Sequence, residues 1–156
     1  MIGNLNKSEI EDLLKNQILC RIGCHADNTT YVVPMSYAYD GTYLYGHTTE
    51  GMKTEWMRKN PAVCVEVDDT KDMANWKSVI AWGNFEELTD SKERTNALQH
   101  LLERVMPILH STKAHLSEEW PFSPENPDTI KGIVFRIRLE NITGRYEQNI
   151  STSFFA

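Results

Sequence analysis

Apolar positions along this chain recur at two different periods, and the places where the period changes divide it into elements. Leu5 to Lys15 opens with a helix start: Asn6 caps, Glu9 is its capping-box partner three residues on, and Leu5 and Ile10 occupy the staple positions. Ile10, Leu13 and Leu14 then form one stripe at helical spacing. From Ile18 to His25 the period falls to two, with Ile18, Cys20, Ile22 and Cys24 alternating with Leu19, Arg21, Gly23 and His25, the pattern of a strand with one buried face. A turn at Ala26–Thr29 leads to a second strand over 30–39, which ends at Asp40-Gly41, a hairpin signal that pairs it antiparallel with a third strand from Tyr43. Pro34 inside the second strand cannot donate to a ladder, so it faces an edge, a bulge or a ligand.

A two-turn helix over 54–60 stops at Asn60-Pro61, and Ala62–Asp68 is a fourth strand. After a polar loop at 69–75, Trp76–Leu88 makes a long fifth strand with Gly83 as a bulge or close-approach point. Asp90 caps the longest helix, with Glu93 at the box position and Ala97, Leu98, Leu101, Leu102, Val105 and Met106 on its apolar face up to Pro107. Residues 107–131, with four prolines, read as an irregular excursion. The last strand spans 132–144 with Ile133, Phe135, Ile137 and Leu139 on one face. Six strands joined by turns rather than regular helical crossovers predict a mainly β domain with helices, an antiparallel barrel with the helices packed outside. It forms a single domain over 1–146, with 147–156 as a loosely held tail.

Composition narrows the partners. The chain has 156 residues, 40% of them apolar, which suits one compact core. With 22 acidic against 16 scattered basic residues the formal charge is −6, so the basic footprint of a nucleic-acid binder is missing. No apolar run reaches the roughly 18 residues of a membrane span, and the N-terminus lacks the basic start and apolar core of a signal peptide. The expected compartment is the cytoplasm. Cys20, Cys24 and Cys64, odd in number and set in apolar runs, read as core. A metal site at Cys20, Cys24 and His25 fails on distance, since four residues of strand separate the sulfurs by roughly 13 Å. No metal is expected. His110 and His115 in the excursion read as solvated, with metal or haem ligation as the alternative.

The stretch with most chemistry is 43–61. Tyr43 and Tyr45 end a strand, Gly46–Gly51 form a polar turn, and the next helix carries Lys53 in its first turn. Free N–H groups at a helix start, the hydroxyls of Thr48 and Thr49 and one ammonium can hold a phosphate. Met52 between Gly51 and Lys53 breaks the P-loop spacing, so a nucleoside triphosphate is not favoured. An ordinary strand-to-helix connection with a solvated lysine fits the same residues.

Four motifs in order, Val33-Pro34-Met35-Ser36-Tyr37, Tyr45 to Lys53, Asn60 to Val67, and Trp76 to Gly83, resemble the pyridoxamine 5′-phosphate oxidase-related flavoproteins, most closely the small branch with the nitroimidazole-resistance proteins. The resemblance spans roughly residues 5–146. It implies an FMN-binding split barrel, homodimeric, with two flavins at the subunit interface. Carried over by residue, Val33, Pro34, Met35 and Ser36 line the isoalloxazine ring, largely through the main chain. His47 and Thr48 hold the ribityl and phosphate side, and Met52 and Lys53 complete the phosphate site. Ser78, Val79 and Trp82 come from the second subunit. The family's true oxidases grip pyridoxal with a C-terminal Trp and Arg for which residues 142–150 offer no equivalent, so oxidation of pyridoxamine phosphate is not expected.

Two functions follow from that resemblance. One is a flavin-dependent oxidoreductase that takes electrons from NAD(P)H or another donor and passes them to a small planar acceptor, nitro compounds among them. Here the flavin carries the chemistry and His47 is the candidate proton donor. No Gly-x-Gly-x-x-Gly is present, so a nicotinamide would dock transiently. The other is a storage or sensing protein on the same barrel, holding FMN, FAD, a deazaflavin or haem. A homodimer is also expected from strand five, whose outward positions Trp76, Ser78, Ile80 and Trp82 a monomer would leave wet.

Overall fold

The structure, a computed structural model, describes residues 1–111 and 130–149, the side chains of 105–111 excepted. Among the described residues there are nine strands, β1 (Ile2–Asn4), β2 (Leu19–Ala26), β3 (Thr29–Ser36), β4 (Ala38–Tyr39), β5 (Tyr43–Thr48), β6 (Ala62–Asp72), β7 (Asn75–Glu87), β8 (Ile133–Arg138) and β9 (Asn141–Glu147). Three helices accompany them, α1 (Lys7–Asn16), α2 (Met52–Lys59) and α3 (Ser91–Ser111). No helix of these is long and apolar enough to cross a membrane.

All pairings are antiparallel, in the order β3-β2-β6-β7-β8-β5-β4, with β1 and β9 branching from β7. The branch comes from one strand changing partners. Residues 76–82 of β7 pair with β9 and 85–87 with β8. Between them lies Gly83, where a Cβ would run into the Arg138 carbonyl oxygen and the Ile137 side chain. The close approach expected of this glycine is therefore what bends the sheet. The two ends of the strand order curl back until β3 touches β5 without a ladder between them. That seam is the split of the barrel.

Alternation fills the interior. Cys20, Ile22 and Cys24 of β2, Val63, Val65 and Val67 of β6, and Val79 and Ala81 of β7 are buried with Leu44, Phe135 and Ile137 in the main core. A second core lies outside, where Ala97, Leu98 and Leu101 of α3 cover Ala38, Tyr45 and Val134. Helix α1 starts as its capping box predicts: the Asn6 carboxamide oxygen accepts from the Glu9 N–H at 3.0 Å and the Glu9 carboxylate from the Asn6 N–H at 2.8 Å. At α3 the Asp90 carboxylate accepts from the N–H groups of Lys92 and Glu93 at 3.1 Å, while Glu93 turns its own carboxylate to Arg136.

Several elements differ from the sequence expectation. The strand expected at 30–39 is interrupted at Tyr37, whose hydroxyl reaches the Leu14 carbonyl at 2.7 Å. Its first part pairs with β2 across the Asp27-Asn28 turn, where both residues have positive φ, and only Ala38 and Tyr39 cross the Asp40-Gly41 turn to β5. Strand β5 continues through Gly46 and His47 to Thr48, so the turn before α2 is shorter than Gly46–Gly51. The polar stretch 69–75 is the end of a long β6–β7 hairpin, since exposed strand tips need no apolar residues. Helix α3 runs past Pro107 to Ser111, so His110 lies on helical main chain, and the rest of the expected excursion up to 129 lies outside the described residues. His115 lies outside the described residues. The final strand is two, β8 and β9, turning at Leu139-Glu140. Glu147 is held opposite Ile2 and Trp76, so the described part of the tail is ordered into the sheet, while 150–156 lie outside the described residues. Strand β1 is too short to show a period.

Cys64 is not core. With Val63 and Val65 pointing inward, it stands half-exposed on the outer face. Cys20 and Cys24 point inward and His25 outward, which puts the imidazole on the other side of the sheet from both thiols.

Candidate functional site

The seam gathers the residues that carry most of the expected chemistry. On its first wall is β3, an end strand of the sheet, which is where a proline inside a strand is tolerated, and Pro34 sits there exposed. Val33 and Met35 face inward and Pro34 and Ser36 outward, so a ligand lying along this strand meets its main-chain edge. The second wall is the end of β5. Gly46 belongs here because a Cβ would strike the Met35 methyl and the Phe135 ring, and its absence lets Met35 cross the seam. His47 and Thr48 follow, both half-buried.

The floor is the start of α2. Thr54, fully buried, accepts the Gly51 N–H at 3.0 Å and donates to the Gly51 carbonyl at 2.8 Å, closing the first turn without a side-chain cap. Among the described residues the N–H groups of Met52, Lys53 and Thr54 have no partner in the chain. Met52 is exposed and Lys53 half-buried. Trp56 of the same helix meets Tyr31 of β3 edge-on, centroids 5.9 Å apart, which fixes α2 against this wall.

Lys53 is the electrostatic anomaly of the site. Burial lowers its pKa below the ordinary lysine value, and the titratable groups that act on it are the thiols of Cys20 and Cys24. Those thiols are not counter-ions: burial pushes Cys20 up to about 12 and raises Cys24, so both stay protonated at neutral pH. Cys20 stands opposite Met35 in the β2–β3 register, which places the ammonium beside the inner face of the seam's first wall. Among the described residues Lys53 makes no ion pair or hydrogen bond.

His47 has other work. Its Nε2 lies 2.6 Å from the Lys131 carbonyl oxygen, so that nitrogen carries the proton and donates it. Burial lowers its pKa, outweighing this hydrogen bond, and nearby Arg94 lowers it further, so the ring is neutral at pH 7. Arg94 donates to the carbonyls of Ile130 and Gly132 at 2.6 and 3.0 Å. Together the two side chains hold the main chain entering β8, an arrangement that long-range contacts create and that no local pattern announces.

The β7 residues lie away from this seam in the same chain. Ser78 and Trp82 are on the outer face, with the Ser78 hydroxyl donating to Glu66 at 2.8 Å. Val79 is fully buried, which leaves only its main chain to reach any ligand.

The pyridoxamine 5′-phosphate oxidase family model matches residues 6–146. The chain belongs to the pyridoxamine 5′-phosphate oxidase family. An uncharacterized protein of Rhizobium meliloti (strain 1021) is 30% identical over 145 residues, covering 90% of this chain and 92% of its own. A FAD-binding protein from Mesorhizobium loti has 30% identity and a TM-score of 0.74, covering 95% of this chain and 99% of its own. A candidate 5-nitroimidazole antibiotic resistance protein from Bacteroides thetaiotaomicron shares the fold, with 22% identity, a TM-score of 0.71 and coverage of 94% and 87%. The split barrel of this family is thus the fold of the chain, with strands β8 and β9 in place of one and β1 and β4 as short additions.

Proposed function

We propose that this protein binds a flavin nucleotide, FMN in the reading of its motifs, along the β3–β5 seam, and that as a cytoplasmic homodimer it passes electrons from NAD(P)H or another donor to a small planar acceptor. Nitro compounds belong to that acceptor class. The observation that carries the reading is Lys53: a half-buried ammonium without a counter-ion among the described residues, in the first turn of a helix whose N–H groups are open, beside an end strand. A flavin phosphate supplies the missing negative charge. The Mesorhizobium loti relative is described as FAD-binding. FAD and FMN present a phosphate at the same end of the ribityl chain, so both suit Lys53.

Bound flavin would supply the electron-accepting ring. The chain's own residues bind and orient it: Val33 to Ser36 offer the main-chain edge of β3, Thr48 and the start of α2 take the polar end, and β7 of a second copy brings Ser78, Val79 and Trp82. His47 donates its Nε2 proton to Lys131 and so holds the seam's second wall in place. The outer face of β7, where Trp82 stands 43% exposed, supports the dimeric reading.

The test is the colour and mass of what copurifies. Flavin absorption, release of FMN or FAD on boiling, and bleaching by NAD(P)H without oxygen are the expected results. A Soret band without flavin would overturn the cofactor, and flavin that no electron donor reduces would leave storage or sensing.

A further inference from the structure

Three successive main-chain carbonyls, those of Ile130, Lys131 and Gly132, are each taken by a side chain from another element. Arg94 of α3 donates to the first at 2.6 Å and to the third at 3.0 Å, and His47 of β5 donates to the middle one at 2.6 Å. Gly132 is required in this strap twice over. Its φ is +103°, and a Cβ there would stand 2.7 Å from His47 Nε2 and 2.8 Å from the Thr48 carbonyl oxygen. The strap therefore lies directly against the two residues that end the seam's second wall. Its far end is anchored by Ile130, buried with Leu98 and Leu101 of α3.

The partners of Arg94 are unlike those of most arginines in this chain. Arg21, Arg58 and Arg136 meet carboxylates. Arg94 makes no ion pair among the described residues, and its two terminal nitrogens go to carbonyls on either side of Lys131. A planar fork matches two acceptors at a fixed spacing, whereas an ammonium is a point charge that can reach one of them. We propose that Arg94 is a positioning residue for the flavin site: it fixes the strap, the strap holds His47, and the His47–Thr48 end of β5 then presents one fixed edge to the ribityl chain. The proposal rests on the flavin reading above and adds what sets that edge. Ribityl hydroxyls need partners at set places, so an edge free to shift binds them less well. A guanidinium acting by its charge would instead favour the phosphate of FMN and do nothing for riboflavin. Further along α3, Arg104 supplies a matched comparison. It donates to the carbonyls of Asn16 and Gln17 at 2.6 and 3.0 Å, a clamp of the same kind on the connection from α1 to β2.

The experiment compares Arg94→Met, Arg94→Lys and Arg104→Met with wild type. FMN and riboflavin are titrated by fluorescence quenching, and the His47 imidazole is followed by NMR in cofactor-free protein. Arg94→Met should weaken both flavins alike, about tenfold each. Arg94→Lys should restore neither, since it keeps the charge and loses the fork. Both Arg94 variants should lose the slowly exchanging Nε2 proton that wild type shows. Arg104→Met should lower the melting temperature comparably and leave both affinities and that proton unchanged. A loss confined to FMN, or its recovery in Arg94→Lys, would make Arg94 an electrostatic aid to the phosphate and overturn the proposal. So would a His47 proton that persists without Arg94, or equal flavin losses in Arg104→Met, which would reduce the effect to general stability. Arg94→Lys carries the same readouts by itself if Arg94→Met does not fold. A wild type that binds neither flavin would overturn the flavin reading and this proposal with it, and an intact His47 proton would then show that the reading failed and not the strap.

Discussion

The two ends of α2 treat their cations in opposite ways. In the last turn Arg58 reaches Glu50 at 2.8 Å and Glu87 at 2.8 Å, and Lys59 reaches Asp27 at 2.9 Å and Glu55 at 3.3 Å. Those charges sit where the helix dipole favours them and have partners besides. In the first turn Lys53 sits where the dipole disfavours a cation, is partly desolvated, and finds no acidic group among the described residues. Stability accounts for the first arrangement and not for the second. An ammonium held at some cost at a helix start calls for an anion that arrives later, and the phosphate of the proposed flavin would be that anion.

The largest way to break this contrast is to take the first turn apart. Thr54→Val keeps the volume but leaves the Gly51 N–H and carbonyl without their buried hydroxyl, which should cost about 2 kcal/mol in chemical denaturation and weaken flavin binding with it. A stability loss without any effect on flavin would detach the helix start from the site.

The second way is through Cys20, because a thiolate there would be the counter-ion that Lys53 is said to lack. Its thiol should react with iodoacetamide at pH 8 roughly a hundredfold or more slowly than Cys64. The same burial sets a pH dependence. Above pH 9 the unfolded chain gives up the Cys20 proton while the folded chain, with its thiol pushed up to about 12, keeps it, so stability falls as pH rises through that window. Cys20→Ala should flatten this alkaline limb relative to wild type in pH-dependent unfolding. A readily alkylated Cys20 would make the pair an internal one.

The smallest effect belongs to the paired end. Arg58→Ala should lower the melting temperature slightly, with the difference shrinking in high salt and flavin affinity unchanged. A marked loss of flavin there would erase the distinction between the two ends.

How much of this was legible in the chain depends on how local the cause is. The Asn6–Glu9 box, the inward face of β2, the bend at Gly83 and Lys53 in a first turn all follow from residues within a few positions of one another. Strand β1 holds only three residues, and the break at Tyr37 depends on a carbonyl 23 residues away. Helix α3 passes Pro107 because a proline removes one donor without ending the run of helical residues around it. Cys64 could have been placed outward from Val63, Val65 and Val67 by alternation alone. In the site, the residue types and their spacing were visible, but the isolation of Lys53 and the tether of His47 to Lys131 are properties of distant contacts.

The central claim is that Lys53 is kept for a flavin phosphate, and one comparison tests it most directly: FMN and riboflavin titrated by fluorescence quenching into wild type and Lys53→Ala. Loss of a charge-assisted hydrogen bond of about 1.5 to 3 kcal/mol should weaken FMN on the order of ten- to a hundredfold. Riboflavin, which has no phosphate, should change little, and cofactor-free thermal unfolding should match wild type or rise slightly, because the dipole penalty is gone. Equal losses for both flavins, or unchanged affinity for both, would contradict the account.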